Sequence, residues 1–196
     1  MNLPNKLTVS RIILVFVFMI FLFSNGVLAK ILALLTFVAA SATDLLDGYI
    51  AKKMDMVTDF GKLMDPIADK ILVLAAFLAF VEMELVPAWM VVIIIFREVT
   101  ITGLRLSALG RGKVVAADDG GKHKMVSQVF SIFAILLFLV FREAGIKVFD
   151  FWNSSTERVY KDTIFFLMLI TTTMTLISGI SYFIKNRRIY FNAKTD

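Results

Sequence analysis

Six long apolar runs constrain this chain more than any other feature of its sequence. Each run approaches the roughly 20 residues that an α-helix needs to cross a hydrocarbon layer about 30 Å thick. The runs cover approximately residues 7–24, 27–51, 60–82, 86–108, 122–142 and 163–185. No linker or low-complexity tract separates them, so we expect a single membrane-embedded domain over residues 1–196. The predicted fold class is all-α, a polytopic membrane protein with six transmembrane helices.

Composition agrees with this prediction and excludes several kinds of chemistry. The chain is 59% hydrophobic, with a mean hydropathy of +0.82, whereas soluble domains are closer to half apolar. The absence of Cys excludes disulfides, thiolate metal sites and cysteine nucleophiles. The single histidine, His123, leaves little material for an imidazole cluster. The net charge of +5 indicates membrane topology and lipid attraction, and we expect no nucleic-acid partner.

The distribution of basic residues predicts the orientation of the spans. With six spans, one side of the membrane holds both termini and the second and fourth loops, and 16 of the 21 Lys and Arg residues fall there. The positive-inside rule therefore places both termini in the cytoplasm, in the cell membrane. On the opposite side, the polar segment from Trp152 to Asp162 predicts a solvated connection.

Four carboxylates stand at the cytoplasmic ends of the second and third predicted helices. Asp44 and Asp47 are about 60° apart on a helix, because each residue turns about 100°. Gly61, Asp65 and Asp69 form a stripe at i, i+4 and i+8 on the next helix. Two facing stripes would bring four carboxylates together beside small residues that allow close approach.

Four neighbouring carboxylates could not all stay ionised without cations, since like charges raise one another's pKa. Hard oxygen ligands favour Mg²⁺, Mn²⁺ or Ca²⁺ over zinc. Two ions about 4 Å apart would clamp a phosphoryl group during in-line displacement. The alternative is a set of interfacial aspartates neutralised by nearby lysines, namely Lys52, Lys53, Lys62 and Lys70.

These residues carry a resemblance to a known family. The pattern Asp44-x-x-Asp47-Gly48-x-x-Ala51-Lys52, followed after eight residues by Gly61-x-x-x-Asp65-x-x-x-Asp69, resembles the signature of the CDP-alcohol phosphotransferases. The resemblance extends over nearly the whole chain and implies a six-helix fold, a cytoplasmic active site and a homodimer. It also implies two bound Mg²⁺ or Mn²⁺ ions.

The resemblance implies a role for each matching residue. Asp44, Asp47, Asp65 and Asp69 would be the metal ligands, and Asp69 would also act as the catalytic general base. Lys52 stands where the family pattern usually has Arg, which keeps the charge but loses bidentate phosphate recognition. The residues expected to bind CDP-diacylglycerol are Gly48, Ala51, Lys52, Gly61, Asn5 and Thr8.

A basic cluster follows in the segments "REVTITGLR" and "GGKHK". Arg97 lies deep in a predicted span, where a guanidinium is costly unless it meets an anion or a partner such as Glu98. Arg105, Lys122 and Lys124 would join it if the loop over 109–121 folds back, and such a cluster suits a phosphate dianion. Flanking positive charge with snorkelling side chains is the alternative, more so for Arg105 and Lys124 than for Arg97.

These segments resemble the branch of the family whose acceptor is sn-glycerol 3-phosphate. By that resemblance Arg97, Arg105 and Lys122 would hold the acceptor phosphate. The expected reaction joins CDP-diacylglycerol to glycerol 3-phosphate in phospholipid biosynthesis and releases CMP, with the lipid tails remaining among membrane lipids. The alternatives are a related enzyme that uses inositol phosphate, inositol or serine, and a cation transporter, which usually carries its carboxylates at the membrane midplane.

Overall fold

Six α-helices account for nearly all of the described chain. The structure is a computed structural model that describes residues 3–54, 59–110, 119–149 and 152–191; side chains are described over 10–42, 70–108, 121–149 and 152–187, and at Gly110. The helices are α1 (Leu3–Phe23), α2 (Val27–Met54), α3 (Asp59–Glu82), α4 (Ala88–Gly110), α5 (Asp119–Lys147) and α6 (Ser154–Phe191). Each predicted span lies inside one helix or overruns its end by no more than about two residues. The helices α1, α5 and α6 extend well beyond their predicted spans.

Local sequence explains where two of the connections turn. Gly26, between α1 and α2, has a φ of 111° that side chains other than glycine rarely adopt. After α3, Glu84 has a φ of 56°. The amide of Leu85 donates to the Phe80 carbonyl at 2.9 Å, and the Glu84 amide donates to Val81 at 3.0 Å. This is the Schellman pattern that ends many helices, here with glutamate at the position where glycine is usual.

The predicted connection over Trp152–Asp162 is largely exposed, as expected, but it is helical from Ser154 onward. α6 begins at Ser154, because Asn153 caps it: Asn153 Oδ1 accepts a hydrogen bond from the Thr156 amide at 2.9 Å. Trp152 and Tyr160 then pack edge to face with ring centroids 5.7 Å apart. The polar composition of this segment reflects a capped helix start.

The helices pack as a connected bundle. α1 lies against α2 and α3, and α5 lies against α2, α3 and α6. α4 packs between α3 and α6. Phenylalanine and branched aliphatic side chains fill the core, among them Phe18, Phe37, Phe77, Ile94 and Ile135. α3, α4 and α5 are thereby brought together at the ends that carry the basic segments.

The outer surface of the bundle is apolar. Large side chains such as Phe16, Phe96 and Phe166 are exposed, which a protein in water rarely tolerates over a wide area. Within the described side chains, the stretches Gly121–Lys147 and Ser154–Arg187 are long and apolar enough to cross a membrane. Shorter apolar stretches occur at Ser10–Phe23 and Val27–Ala42. These are the features of a membrane protein.

Candidate functional site

A cavity of about 300 Å³ lies between α3, α4 and α5. We call it the basic cavity. Among the described residues that line it, five side chains are basic and one is acidic: Lys70, Arg97, Arg105, Lys122, Lys124 and Glu98. Several positive charges in a partly desolvated pocket are costly unless anions offset them. The arrangement is therefore suited to a multivalent anion.

Glu98 lies at the centre of the charged groups, and its side chain is only 5% exposed. Lys124 donates a hydrogen bond to Oε1 of Glu98. Arg97 Nη1 lies 3.2 Å from the same oxygen, and Lys70 Nζ lies 3.2 Å from Oε2. One carboxylate thus offsets three cations, which leaves the described part of the cavity with an excess of positive charge.

Lys70 links α3 to α4 at this cavity. Its Nζ donates to the backbone carbonyl of Glu98 at 3.2 Å and to Oγ1 of Thr102. Thr102 in turn donates to the Glu98 carbonyl at 2.7 Å. Residues of α4 therefore hold the Lys70 ammonium in place. In α3, Lys70 directly follows the predicted general base Asp69.

Each of the two arginines is contacted by a residue of α6. Arg97 Nη2 donates to Ser178 Oγ at 2.9 Å. The guanidinium carbon of Arg105 lies 5.8 Å from the centroid of the Tyr182 ring, within the range of a cation–π contact. In both arginines the buried Nε has no hydrogen-bond partner among the described residues.

A second cavity, of about 580 Å³, adjoins the basic cavity. Its described lining is almost entirely apolar and comes largely from α2 and α5, with Arg11 and Ser41 as polar exceptions. Val73 and Met125 line both cavities. This second cavity, which we call the apolar cavity, therefore lies directly beside the basic cavity.

The structure brings together the three residues predicted to hold the acceptor phosphate, because Arg97, Arg105 and Lys122 all line the basic cavity. The predicted metal ligands Asp44 and Asp47 lie in α2, and Asp65 and Asp69 lie in α3. Their side chains are outside the described part of the chain. The same holds for the predicted donor-binding residues Asn5, Thr8, Gly48, Ala51, Lys52 and Gly61.

Sequence reasoning missed three features of the site. It named Glu98 only as a possible counterion of Arg97, whereas Glu98 binds three cations. It treated Lys70 as a neutralising charge for the aspartates, although its position directly after Asp69 was a usable signal. The contacts from α6 had no signal in any motif, because Ser178 and Tyr182 lie far along the chain from both arginines.

Comparison with known proteins identifies the class. The family model for CDP-alcohol phosphatidyltransferases matches residues 1–194, and the chain belongs to that family. A relative from Bacillus subtilis (strain 168), named CDP-diacylglycerol–glycerol-3-phosphate 3-phosphatidyltransferase, is 40% identical over 197 residues, covering 94% of this chain and 95% of the relative.

Two further relatives carry related names. One from Rickettsia typhi with the same name is 37% identical over 192 residues, covering 97% of this chain and 99% of the relative. A protein named probable phosphatidylglycerophosphate synthase from Mycobacterium tuberculosis (strain ATCC 25618 / H37Rv) is 40% identical over 134 residues, covering 67% of this chain and 64% of the relative. The chain is thus similar over nearly its full length to enzymes named for the glycerol 3-phosphate acceptor.

Proposed function

We propose that this protein transfers the phosphatidyl group of CDP-diacylglycerol to sn-glycerol 3-phosphate, giving phosphatidylglycerophosphate and CMP. Membership of the family supplies the donor and the type of reaction. The observation that carries the acceptor is the basic cavity, where five cationic side chains surround one carboxylate in the described lining. A phosphate dianion would form charge-assisted hydrogen bonds there.

The proposal places the enzyme in the cell membrane as one catalytic domain over residues 1–196 with six transmembrane helices. Both termini and the active site face the cytoplasm, as the 16 basic residues on that side favour. The resemblance to the family further supports a homodimer. The donor lipid then enters from the cytoplasmic leaflet.

Asp44, Asp47, Asp65 and Asp69 are proposed to hold two Mg²⁺ or Mn²⁺ ions. The donor set fits these ions, because carboxylate oxygens are the ligands that hard divalent cations prefer. The structure carries Asp44 and Asp47 on continuous α2 and Asp65 and Asp69 on continuous α3, so the helical spacings i, i+3 and i, i+4 apply. When bound, the ions would stabilise negative charge on the phosphoryl oxygens.

The chain's own residues then carry the transfer. Arg97, Arg105 and Lys122 hold the acceptor phosphate and orient the acceptor hydroxyl. Asp69 takes the proton of that hydroxyl, whose oxygen bonds to the lipid-linked phosphorus while the bond from that phosphorus to the CMP oxygen breaks. The remaining family positions bind the donor: Gly48, Ala51 and Gly61 make room for it, Lys52 contacts the diphosphate, and Asn5 and Thr8 border the nucleotide.

The apolar cavity is proposed to take an acyl chain of the donor. It shares Val73 and Met125 with the basic cavity, so a lipid could keep its tail there while its head group reaches the reacting centre. Ser41 and Ala42 line the cavity and directly precede the segment of α2 that carries Asp44.

Two alternative functions make different predictions. A related enzyme that uses inositol phosphate would also need a basic cavity, whereas free inositol or serine would not require its excess of positive charge. A cation transporter would move ions without producing CMP. Membership of the family disfavours the transporter.

One assay separates these functions. Purified protein is supplied with CDP-diacylglycerol and either glycerol 3-phosphate, glycerol, inositol phosphate, inositol or serine, and CMP release is measured. We expect glycerol 3-phosphate to be the best acceptor and glycerol to be very poor. Preferred use of inositol phosphate, inositol or serine would contradict the proposed acceptor, and ion flux in proteoliposomes without CMP would contradict the enzyme.

The same assay tests the aspartates. Asp44→Asn, Asp47→Asn and Asp65→Asn should each abolish turnover, since an amide is neutral and a weaker ligand for hard cations. EDTA should do the same to the parent enzyme, and Mg²⁺ or Mn²⁺ should restore it. Full activity of one variant would remove that residue from the site, and full activity in EDTA would refute the metal site.

A further inference from the structure

Helix α6 contacts two arginines of the basic cavity without lining the cavity itself. It packs against α4 and α5, and its residues are absent from the described lining of the cavity. Three of its residues nevertheless meet the two arginines that point into the cavity. We call Ser178, Gly179 and Tyr182 the support strip.

Two members of the support strip hold Arg97. Ser178 is buried and accepts a hydrogen bond from Arg97 Nη2 at 2.9 Å. At Gly179, an added Cβ would lie 3.0 Å from Cγ of Arg97 and 3.9 Å from its Nε. The glycine therefore lets the arginine stem lie flat against α6, and a methyl group there would displace it.

The third member holds Arg105 in a different way. The Tyr182 side chain is buried, and its ring faces the guanidinium of Arg105 at 5.8 Å. A cation–π contact orients the guanidinium plane without using an N–H donor. The buried Nε of Arg105 has no hydrogen-bond partner in the described structure, so the contact with Tyr182 is what fixes this side chain there.

We propose that the support strip consists of positioning residues that fix Arg97 and Arg105 for the acceptor phosphate. This inference rests on the proposed function, because it assumes that the basic cavity receives a phosphate. The strip contacts each arginine while leaving its Nε unpaired. It therefore sets affinity for the acceptor and has no part in the chemistry at the donor phosphorus.

The test separates acceptor binding from catalysis. In Ser178→Ala, Gly179→Ala and Tyr182→Leu, we expect the KM for glycerol 3-phosphate to rise about threefold to thirtyfold. The KM for CDP-diacylglycerol and the kcat should stay within about twofold of the parent values. The arginines contact the acceptor both before and during the reaction, so displacing them weakens binding of the ground state and the transition state alike. Tyr182→Phe keeps the ring and should raise the acceptor KM less than Tyr182→Leu does.

A matched control comes from the same helix. Thr173 is exposed and donates its hydroxyl to the Leu169 carbonyl at 2.8 Å, so Thr173→Ala removes a hydroxyl without touching an arginine. It should leave both KM values unchanged. Unfolding in detergent is measured for every variant, so that a loss of fold is distinguished from a change in affinity.

Two outcomes would overturn the support strip: an unchanged acceptor KM in all three variants, or equal changes in both KM values. Failure of the proposed function is visible separately, because the parent would then not use glycerol 3-phosphate. In that case inorganic phosphate is the probe, with its binding measured by the shift in melting temperature. Weaker phosphate binding by the three variants than by Thr173→Ala would still support the strip, and equal binding would overturn it.

Discussion

Two charged clusters at opposite ends of α5 differ in balance and in burial. The basic cavity has five cations and one carboxylate in its described lining, and that carboxylate, Glu98, is 5% exposed. Near the other end, Arg142 Nε lies 3.1 Å from Glu157 Oε2, and these side chains are 35% and 27% exposed. Lys124 and Arg142 are 18 residues apart on the helix, roughly 27 Å.

The second group, which we call the distal cluster, has partners for its charges. Glu157 accepts hydrogen bonds from Arg142 and from Trp152 Nε1, the latter at 2.7 Å. Lys147 pairs with Glu143 at 3.1 Å. Ion pairs that remain partly exposed, such as Arg142 with Glu157, stabilise local structure modestly. Buried charges in excess suit an anionic ligand, so this difference supports the proposed anion binding at the basic cavity.

The largest difference between the clusters should follow from neutralising their carboxylates. Glu98→Gln leaves three cations around a neutral amide, and loss of one partner from a buried ion pair costs about 3–5 kcal/mol. Glu157→Gln should cost at most about 1 kcal/mol, because its partners are partly solvated. Both values are differences in the free energy of unfolding, measured with denaturant in detergent.

Added phosphate sharpens this prediction. If the basic cavity binds an anion, inorganic phosphate should raise the melting temperature of Glu98→Gln more than that of the parent, because the ligand replaces the missing carboxylate. Glu157→Gln should respond as the parent does. Equal destabilisation of the two variants, with no special response to phosphate, would contradict the contrast between the clusters.

The sequence predicted the helices and the family better than the internal contacts of the basic cavity. The aspartate pattern has a fixed spacing, so it indicated the family, and the family match confirms that prediction. Arg97 was noticeable because a guanidinium inside an apolar run needs an anion. Ser178 and Tyr182 had no such signal, since a hydroxyl or an aromatic ring in an apolar helix is ordinary. Their role depends on how α6 packs against α4.

The helical start of α6 was missed for a related reason. The charges between Trp152 and Asp162 resembled those of a solvated loop. Helix formation there depends on the cap at Asn153 and on the shared hydrogen bonds of Glu157. Composition records polarity but not which polar groups meet one another.

The second-largest effect should come from removing a cation of the basic cavity. Each charge-assisted hydrogen bond to a phosphate contributes roughly 1.5–3 kcal/mol. Arg97→Ala, Arg105→Ala and Lys122→Ala should therefore raise the KM for glycerol 3-phosphate about tenfold to a hundredfold. The KM for CDP-diacylglycerol should be spared. Steady-state kinetics with each substrate varied in turn provides the measurement.

Arg142→Ala is the matched control for these variants. It removes a guanidinium of the same chemistry from the distal cluster, where Glu157 already pairs with it. Both KM values should match those of the parent. If Arg142→Ala weakened the acceptor as much as Arg97→Ala, the effect would come from total charge and not from the cavity.

The smallest effect should come from Lys161, at the edge of the distal cluster. Its Nζ lies 3.9 Å from Glu157 Oε1, the two residues are spaced i, i+4, and the Lys161 side chain is 57% exposed. Water and salt screen such a pair, so Lys161→Ala should lower the free energy of unfolding by less than about 0.5 kcal/mol. Denaturant unfolding at low and high salt gives the measurement, and the small difference from the parent should vanish at high salt. A loss well above 1 kcal/mol that persists in salt would show a cooperative network at this end of α5, and the distal cluster could then no longer serve as the solvated counterpart of the basic cavity.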